Sequence, residues 1–327
     1  MFSIGSTRLA INAARYNAEL KLWPHALSEA LVADAHLVDT RHWLAYATAG
    51  SLGRVLESMK PRRAATAVPE VALLGGHQSQ PVRVGKTVRR ATGPWSPSIH
   101  AVLRHLEAAG FSGAPRFIGL DDKGREVLSY VEGRAASGTA LPAYVWSDLT
   151  LIDVARLLHQ LHVATESFQP PPEAVWRQLP GAPDCDEVIC HNDAAPWNTV
   201  FRRRRPVTFI DWESAAPGPR IWDVAYVAWH WVPLWADERC LSHGFSRLRE
   251  RPRRLRVLCN AYGLHDRSTV LETVRLRQQA WLKLLSQQAT AGDPASVRLA
   301  GAGAERGVAA DALMLERDLN SFKAVLQ

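Results

Sequence analysis

Residues 188–229 read VICHNDAAPWNTVFRRRRPVTFIDWESAAPGPRIWDVAYVAW, and most of the chemistry-bearing side chains fall here. His191, Asp193 and Asn198 stand in the spacing H-x-D-x-x-x-x-N, followed by Asp211 and Glu213 in I-D-W-E and by Asp223 in D-V-A. Phosphoryl transfer from a nucleotide calls for such a set. One carboxylate orients an acceptor hydroxyl and takes its proton. A second carboxylate and an amide oxygen hold magnesium, a hard cation that prefers oxygen ligands. A lone Asp, Asn or His more often caps a helix or closes a turn. The spacing of the whole set separates it from that reading.

Short apolar runs must carry these residues. Residues 188–190 read as a strand that delivers His191 and Asp193 to a loop. A second strand, 199–201, leaves just after Asn198, and a third, 207–210, ends at Asp211, so a hairpin folds Asn198 and Asp211 back beside that loop. The basic run 202–205 sits at the hairpin tip and reads as a solvated turn rather than a phosphate-binding patch. Upstream, short strands are expected at 71–74, 82–85 and 87–90. Pro97 then opens a helix over 98–109 that ends at Gly110. Strands at 116–120 and 126–131 follow, joined by the turn 121–124. A helix over 149–165 opens the second unit, a Pro-rich linker spans 169–184, and the chain beyond Arg220 is mainly helical. Residues 66–133 form a small β-rich unit and 134–327 a larger helical one. Residues 1–65 read as a helical extension, with residues 27–37 as an example; translation starting at Met59 is an alternative account of that stretch.

The 188–229 segment resembles the aminoglycoside phosphotransferase and choline kinase group. That resemblance implies an α+β, protein-kinase-like two-lobe fold, with a small β-rich N-lobe and a larger, mainly helical C-lobe. It implies Asp193 as catalytic base, Asn198 and Asp211 as Mg2+ ligands, and ATP as phosphoryl donor. His191 would brace the catalytic loop, and Asp223 would hold that loop's backbone from the following helix. Glu213 would serve the metal's outer shell, although its direction is open because the chain leaves the strand near Asp211. The resemblance extends by motif over residues 72–231. Within it, Gly75, Gly76 and Ser79 resemble the nucleotide-positioning loop, where glycines allow close backbone approach. Backbone groups at Ser129 and Val131, in LSYVEG, would meet the adenine edge.

Two positions depart from the pattern. The family has a Lys on the third strand paired with a Glu on the next helix. Here the strand reads KTVRR, so Arg89 or Arg90 takes the phosphate role, and His100 falls where the Glu is expected. Arginine can clamp phosphate with two hydrogen bonds. Glu107, two turns further along the helix, reads as the nearby acid.

Composition narrows the classes that remain. The chain has 327 residues, 47% hydrophobic and 22% charged, with a formal net charge of +7. Its share of apolar residues excludes wholesale disorder. No run approaches the ~20 apolar residues of a membrane helix. Four cysteines form no C-x-x-C pair, and no leader is read at the start, so the expected setting is the cytoplasm. Of the 39 basic residues only six are Lys, and the Arg are spread along the whole chain, which speaks against a nucleic-acid face. Hydrolase, zincin and Walker motifs are missing. His159 and His162 share a helix spacing without a third ligand and read as a solvated or hydrogen-bonded pair. The expected function is a transferase: a Mg2+- and ATP-dependent kinase acting on a small-molecule hydroxyl. The alternative is a catalytically weak or inactive kinase-like ligand-binding protein. Residues 232–327 hold 15 basic against 10 acidic residues, so bulk charge there does not favour a cationic acceptor.

Overall fold

Alternating side chains in short strands build the first lobe. The computed structural model describes residues 68–73, 81–138 and 140–326. The expected loop residues Gly75, Gly76 and Ser79, the helical extension over 1–65 and Met59 lie outside the described residues. Strands β1 (Val71–Ala72), β2 (Val82–Val84), β3 (Thr87–Arg90), β4 (Phe117–Leu120) and β5 (Glu126–Ser129) form an antiparallel sheet in the order β1-β2-β3-β5-β4. In the β3/β5 pair, Val88 lies opposite Leu128 and Arg90 opposite Glu126. Directly paired residues share a sheet face, and so do residues two apart. Val88 and Leu128 join the apolar core, so Arg90 and Glu126 point the same way. Arg89 points to the other face.

Helix α1 (Ser96–Ala108) covers the core-facing side of this sheet. Its buried residues Ile99, Val102, Leu103 and Leu106 recur at helical spacing. Pro97 sits in its first turn, where the missing N–H costs nothing. Gly110 ends it with φ +74°. The helix therefore starts two residues before the position expected from Pro97.

The second lobe is mainly helical. Helix α2 (Asp148–Thr165) is capped by Ser147, whose hydroxyl accepts from Thr150 N, and it buries Leu151, Val154, Ala155, Leu158 and Leu161. Burying each of the leucines and Val154 contributes roughly 1.5–3 kcal/mol. Strand β7 (Val188–Cys190) pairs with β10 (Ala216–Gly218), while β6 (Arg134–Ala135), β8 (Thr199–Arg202) and β9 (Arg205–Phe209) form a second small sheet. Helix α3 (Arg220–Trp231) follows, then α4 (Asp237–Ser242), α5 (Arg251–Tyr262), α6 (Val270–Thr290), α7 (Pro294–Gly301), α8 (Ala304–Arg317) and α9 (Leu319–Leu326). Helix α5 packs on α2, and α6 packs on α3. Trp222, Trp229, Trp231 and Trp235 are all buried and belong to the core.

Arg203 and Arg204 at the β8/β9 tip have φ of +50° and +64°, and 202–205 are all exposed. This is the solvated turn expected of the basic run, and Arg205 spends its charge on Asp153. Between the lobes, Gly133 has φ +144°, and a Cβ there would lie 2.5 Å from the Phe201 carbonyl oxygen. Only glycine lets the connecting strand pass so close to β8. No helix among the described residues is long and apolar enough to cross a membrane.

Candidate active site

Strand β7 is buried on every residue and ends at Cys190, leaving His191–Asp193 as the start of a tight loop. Asn192 there adopts φ +65°, a conformation Asn tolerates better than most residues. The loop is held from below. Asp223, on the first turn of α3, accepts from His191 N at 2.6 Å and from Asn192 N at 2.8 Å. Burial opposes ionisation of Asp223, but hydrogen bonding from His162 and nearby positive charge hold its carboxyl below the ordinary range. His191 Nδ1 accepts from Asp193 N at 3.2 Å, and its ring packs on Phe209 and Trp212. Burial pushes the imidazole down to about 4, so it is neutral.

Asp193 sits at the loop's mouth, half-buried. Its Oδ2 accepts from Asn198 Nδ2 at 2.7 Å, and its Oδ1 accepts from the Tyr226 hydroxyl. Burial, partly offset by the Tyr226 bond and reinforced by the charge of Asp211, pushes its carboxyl up to about 7. A base with that value operates near neutral pH.

The β8/β9 hairpin brings Asn198 and Asp211 together as its pattern requires. Ile210 N donates to Asn198 O at 2.8 Å, and Thr199 lies opposite Phe209. Asp211 turns out of the strand with φ +66°. Asn198 spends its amide N–H on Asp193, leaving its side-chain oxygen without a protein partner among the described residues. Glu213, two residues beyond Asp211, is engaged by a protein cation. It pairs with Arg177 of the 169–184 linker at 2.6 Å, and burial, then the Asp211 charge, raise its pKa. Arg177 also lies over the Trp95 ring at 5.0 Å, just before α1.

The small lobe contributes Arg90 and not Arg89. Arg90 pairs with Asp211 and, through Nε, with Glu126 at 2.6 Å. Arg89, on the opposite face, donates to the Thr87 hydroxyl and lies 3.6 Å from Asp121. His100 occupies the helix position expected of the Glu, and its Nε2 bonds Glu126 at 2.9 Å. The acid beside Arg90 is therefore Glu126 and not Glu107, which pairs with Arg116 at the surface. Strand register puts Glu126 there, whereas helical spacing pointed to Glu107. Ser129 uses its backbone N–H and its hydroxyl on Arg116. Val131, with Tyr130 and Glu132, lines a cavity of about 450 Å³ at the lobe junction, together with Lys86 and Arg202.

Two further residues shape the site without a local sequence signal. Tyr226 reaches Asp193 from the face of α3 next to Asp223. Arg277, fully buried on α6, donates to Asn192 Oδ1 at 3.0 Å and to Asn192 O at 2.7 Å, and it lies 4.5 Å from the Tyr226 ring. His162 is hydrogen-bonded to Tyr262 and Asp223. His162, Asp223 and Cys190 make the group of metal-binding side-chain types that comes together among the described residues. Asp223 already accepts three hydrogen bonds, and burial pushes the Cys190 thiol well up, so the trio reads as a brace under the loop.

A five-stranded lobe hinged to a helical lobe, with the H-x-D-x-x-x-x-N loop at their junction, defines a kinase-like phosphotransferase fold. Residues 139–258 match the model of the phosphotransferase enzyme family. The trifolitoxin immunity protein of Rhizobium leguminosarum bv. trifolii is 37% identical over 199 residues, which span 60% of this chain and 74% of that protein. The chain belongs to the phosphotransferase enzyme family. In fold it is similar to a choline/ethanolamine kinase family protein from Mesorhizobium loti (TM-score 0.53, 15% identity, 84% of this chain and 98% of that one). It is also similar to an aminoglycoside phosphotransferase-like protein from Ralstonia eutropha (TM-score 0.50, 15% identity, 81% and 98%). The GDP complex of aminoglycoside 2'-phosphotransferase-IIIa gives a TM-score of 0.50 at 15% identity, over 82% and 97%.

Proposed function

We propose that the protein transfers the γ-phosphoryl group of ATP to a hydroxyl of a small molecule, with Mg2+ as cofactor. The observation that carries this reading is Asp193, held by Tyr226 and Asn198 beside Asp211 with its carboxyl near 7. Asp193 accepts the acceptor's hydroxyl proton as that oxygen attacks the phosphorus. Tyr226 and the Asn198 amide hold the carboxylate in one orientation, and His191 and Asp223 keep the loop backbone from yielding. The free Asn198 side-chain oxygen and the Asp211 carboxylate make a hard oxygen donor pair that fits magnesium. Bound there, the ion would neutralise charge on the transferring phosphoryl group. Arg90 would add a fixed positive charge on the phosphate side, and the residues at Val131 a surface for the base. Gly75, Gly76 and Ser79 remain the proposed phosphate loop.

The acceptor follows from family context. A relative 37% identical is an immunity protein against trifolitoxin, so a toxic compound is the first acceptor class to try. Acceptor-dependent ADP release tests the reading, with trifolitoxin, aminoglycosides and choline as the first panel. Asp193→Asn should abolish that release while sparing nucleotide binding; normal turnover by this variant would refute the assignment. A second reading, a kinase-like protein that binds without turnover, draws on the Arg90–Asp211 pair, which puts a protein cation on the proposed metal carboxylate. Mg2+-dependent ATP binding with no ADP release from any acceptor would favour it.

A further inference from the structure

The acid that orients the phosphate-side cation has changed elements in this chain. Glu126 is 2% exposed, and an ionised carboxylate so deep needs partners on both oxygens. It has them: Oε1 takes Arg90 Nε at 2.6 Å and Oε2 meets His100 Nε2 at 2.9 Å. Burial opposes its ionisation, but the His100 bond and the Arg90 charge outweigh that. The His100 ring is in turn fixed by stacking on Phe117, centroids 3.7 Å apart and planes within 16°. Phe117 lies opposite Leu128, two residues from Glu126 on the same strand pair. Helix, strand and neighbouring strand therefore lock one carboxylate.

The consequence is geometric. A guanidinium held by Nε keeps Nη2 beside the anchoring acid and turns Nη1 away from it. In Arg90 that outward nitrogen, Nη1, meets Asp211. We propose that Glu126, positioned by His100, is the anchor that aims Arg90 at the nucleotide phosphates, replacing a helix-borne acid by a strand-borne one. This rests on the nucleotide-binding reading above. Glu126 and His100 are positioning residues; Arg90 is the group that touches phosphate. On this arrangement Arg90 exchanges Asp211 for a phosphate oxygen without leaving Glu126.

The test compares ATP with adenosine, which lacks the phosphates, by calorimetric titration of the full chain in Mg2+ buffer, with GTP in parallel. Glu126→Gln is expected to weaken ATP binding about tenfold and to leave adenosine within twofold, as the loss of one charge-assisted contact would. Arg90→Met should do the same, and the Arg90→Met/Glu126→Gln pair should be no worse than Arg90→Met alone. Adding His100→Glu to Glu126→Gln returns the acid to the helix and should restore ATP affinity to within about threefold of the wild type. If Glu126→Gln does not fold, Glu126→Asp serves, because it keeps the charge and draws Arg90 back by one methylene. ATP affinity unchanged in these variants overturns the inference, as does an equal loss of ATP and adenosine. In either case a wild type that binds ATP leaves the nucleotide reading standing. A wild type that binds neither ATP nor GTP overturns both.

Discussion

Asp193→Asn should make the protein less sensitive to rising pH while removing the proposed base. The Asp193 carboxyl rises from an ordinary 3.8 to about 7 in the folded state. At 1.36 kcal/mol per unit, that displacement is a ceiling of about 4 kcal/mol. Asp193 keeps an exposed edge, which roughly halves the figure to ~2 kcal/mol. The sign follows from proton counting. The folded state binds the extra proton between about pH 4 and 7, so stability falls as pH rises through that window. Asparagine has no such proton. Its carbonyl can still accept from Tyr226, but its amide faces the Asn198 amide, an opposing cost of ~1 kcal/mol at every pH. The variant should therefore be less stable than the wild type near pH 5 and equal or more stable near pH 8. Twelve tryptophans make intrinsic fluorescence a natural probe of denaturant unfolding, run with chelator from pH 5 to 8.5. Wild-type and variant stabilities that run parallel over that range would refute both the raised carboxyl and the burial argument behind it.

Arg277→Met should lower turnover and cost about 2–3 kcal/mol, because the Asn192 carbonyl loses its partner in a buried site; activity and melting curves check this, and unchanged turnover would show the Arg277 brace idle. Gly133→Ala should cost more than ~1 kcal/mol and disturb nucleotide binding, since its Cβ would press on the Phe201 carbonyl; an unchanged Tm would mean the strand can yield. Replacing Arg203–Arg204 with Asn-Gly should stabilise by ~0.5–1 kcal/mol, both positions having positive φ; a lower Tm would contradict that turn geometry. Glu126, whose carboxyl lies below its ordinary 4.5, contributes stability above that pH and loses it as pH falls through the folded value. Glu126→Gln should flatten the acid limb of a stability profile, and an unchanged acid limb would place the loss elsewhere.

The local pattern carried much of this molecule. Apolar runs with turn residues between them mark β7, β8 and β9. The loop residues His191–Asn198 and the return to Asp211 follow from strand direction and hairpin closure, which act over a dozen residues. Amphipathic spacing, with a terminal glycine for α1, marks α1 and α2 to within a residue or two at their ends. What local pattern could not carry is who neutralises whom. Arg90 and Arg89 are adjacent in sequence and equal in chemistry, and only the β3/β5 register decides that Arg90 faces the site. Glu126 lies 36 residues from Arg90, Tyr226 lies 33 from Asp193 and Arg277 lies 85 from Asn192. Such buried partnerships are set by which faces pack together, because burial makes an unpaired charge costly and selects whatever partner the fold supplies. The amino-acid sequence alone determined the H-x-D-x-x-x-x-N motif, the alternation of elements and the family resemblance. Tertiary structure alone decided which arginine enters the site, which acid anchors it, and that a tyrosine and a buried arginine from two helices support the loop carrying Asp193.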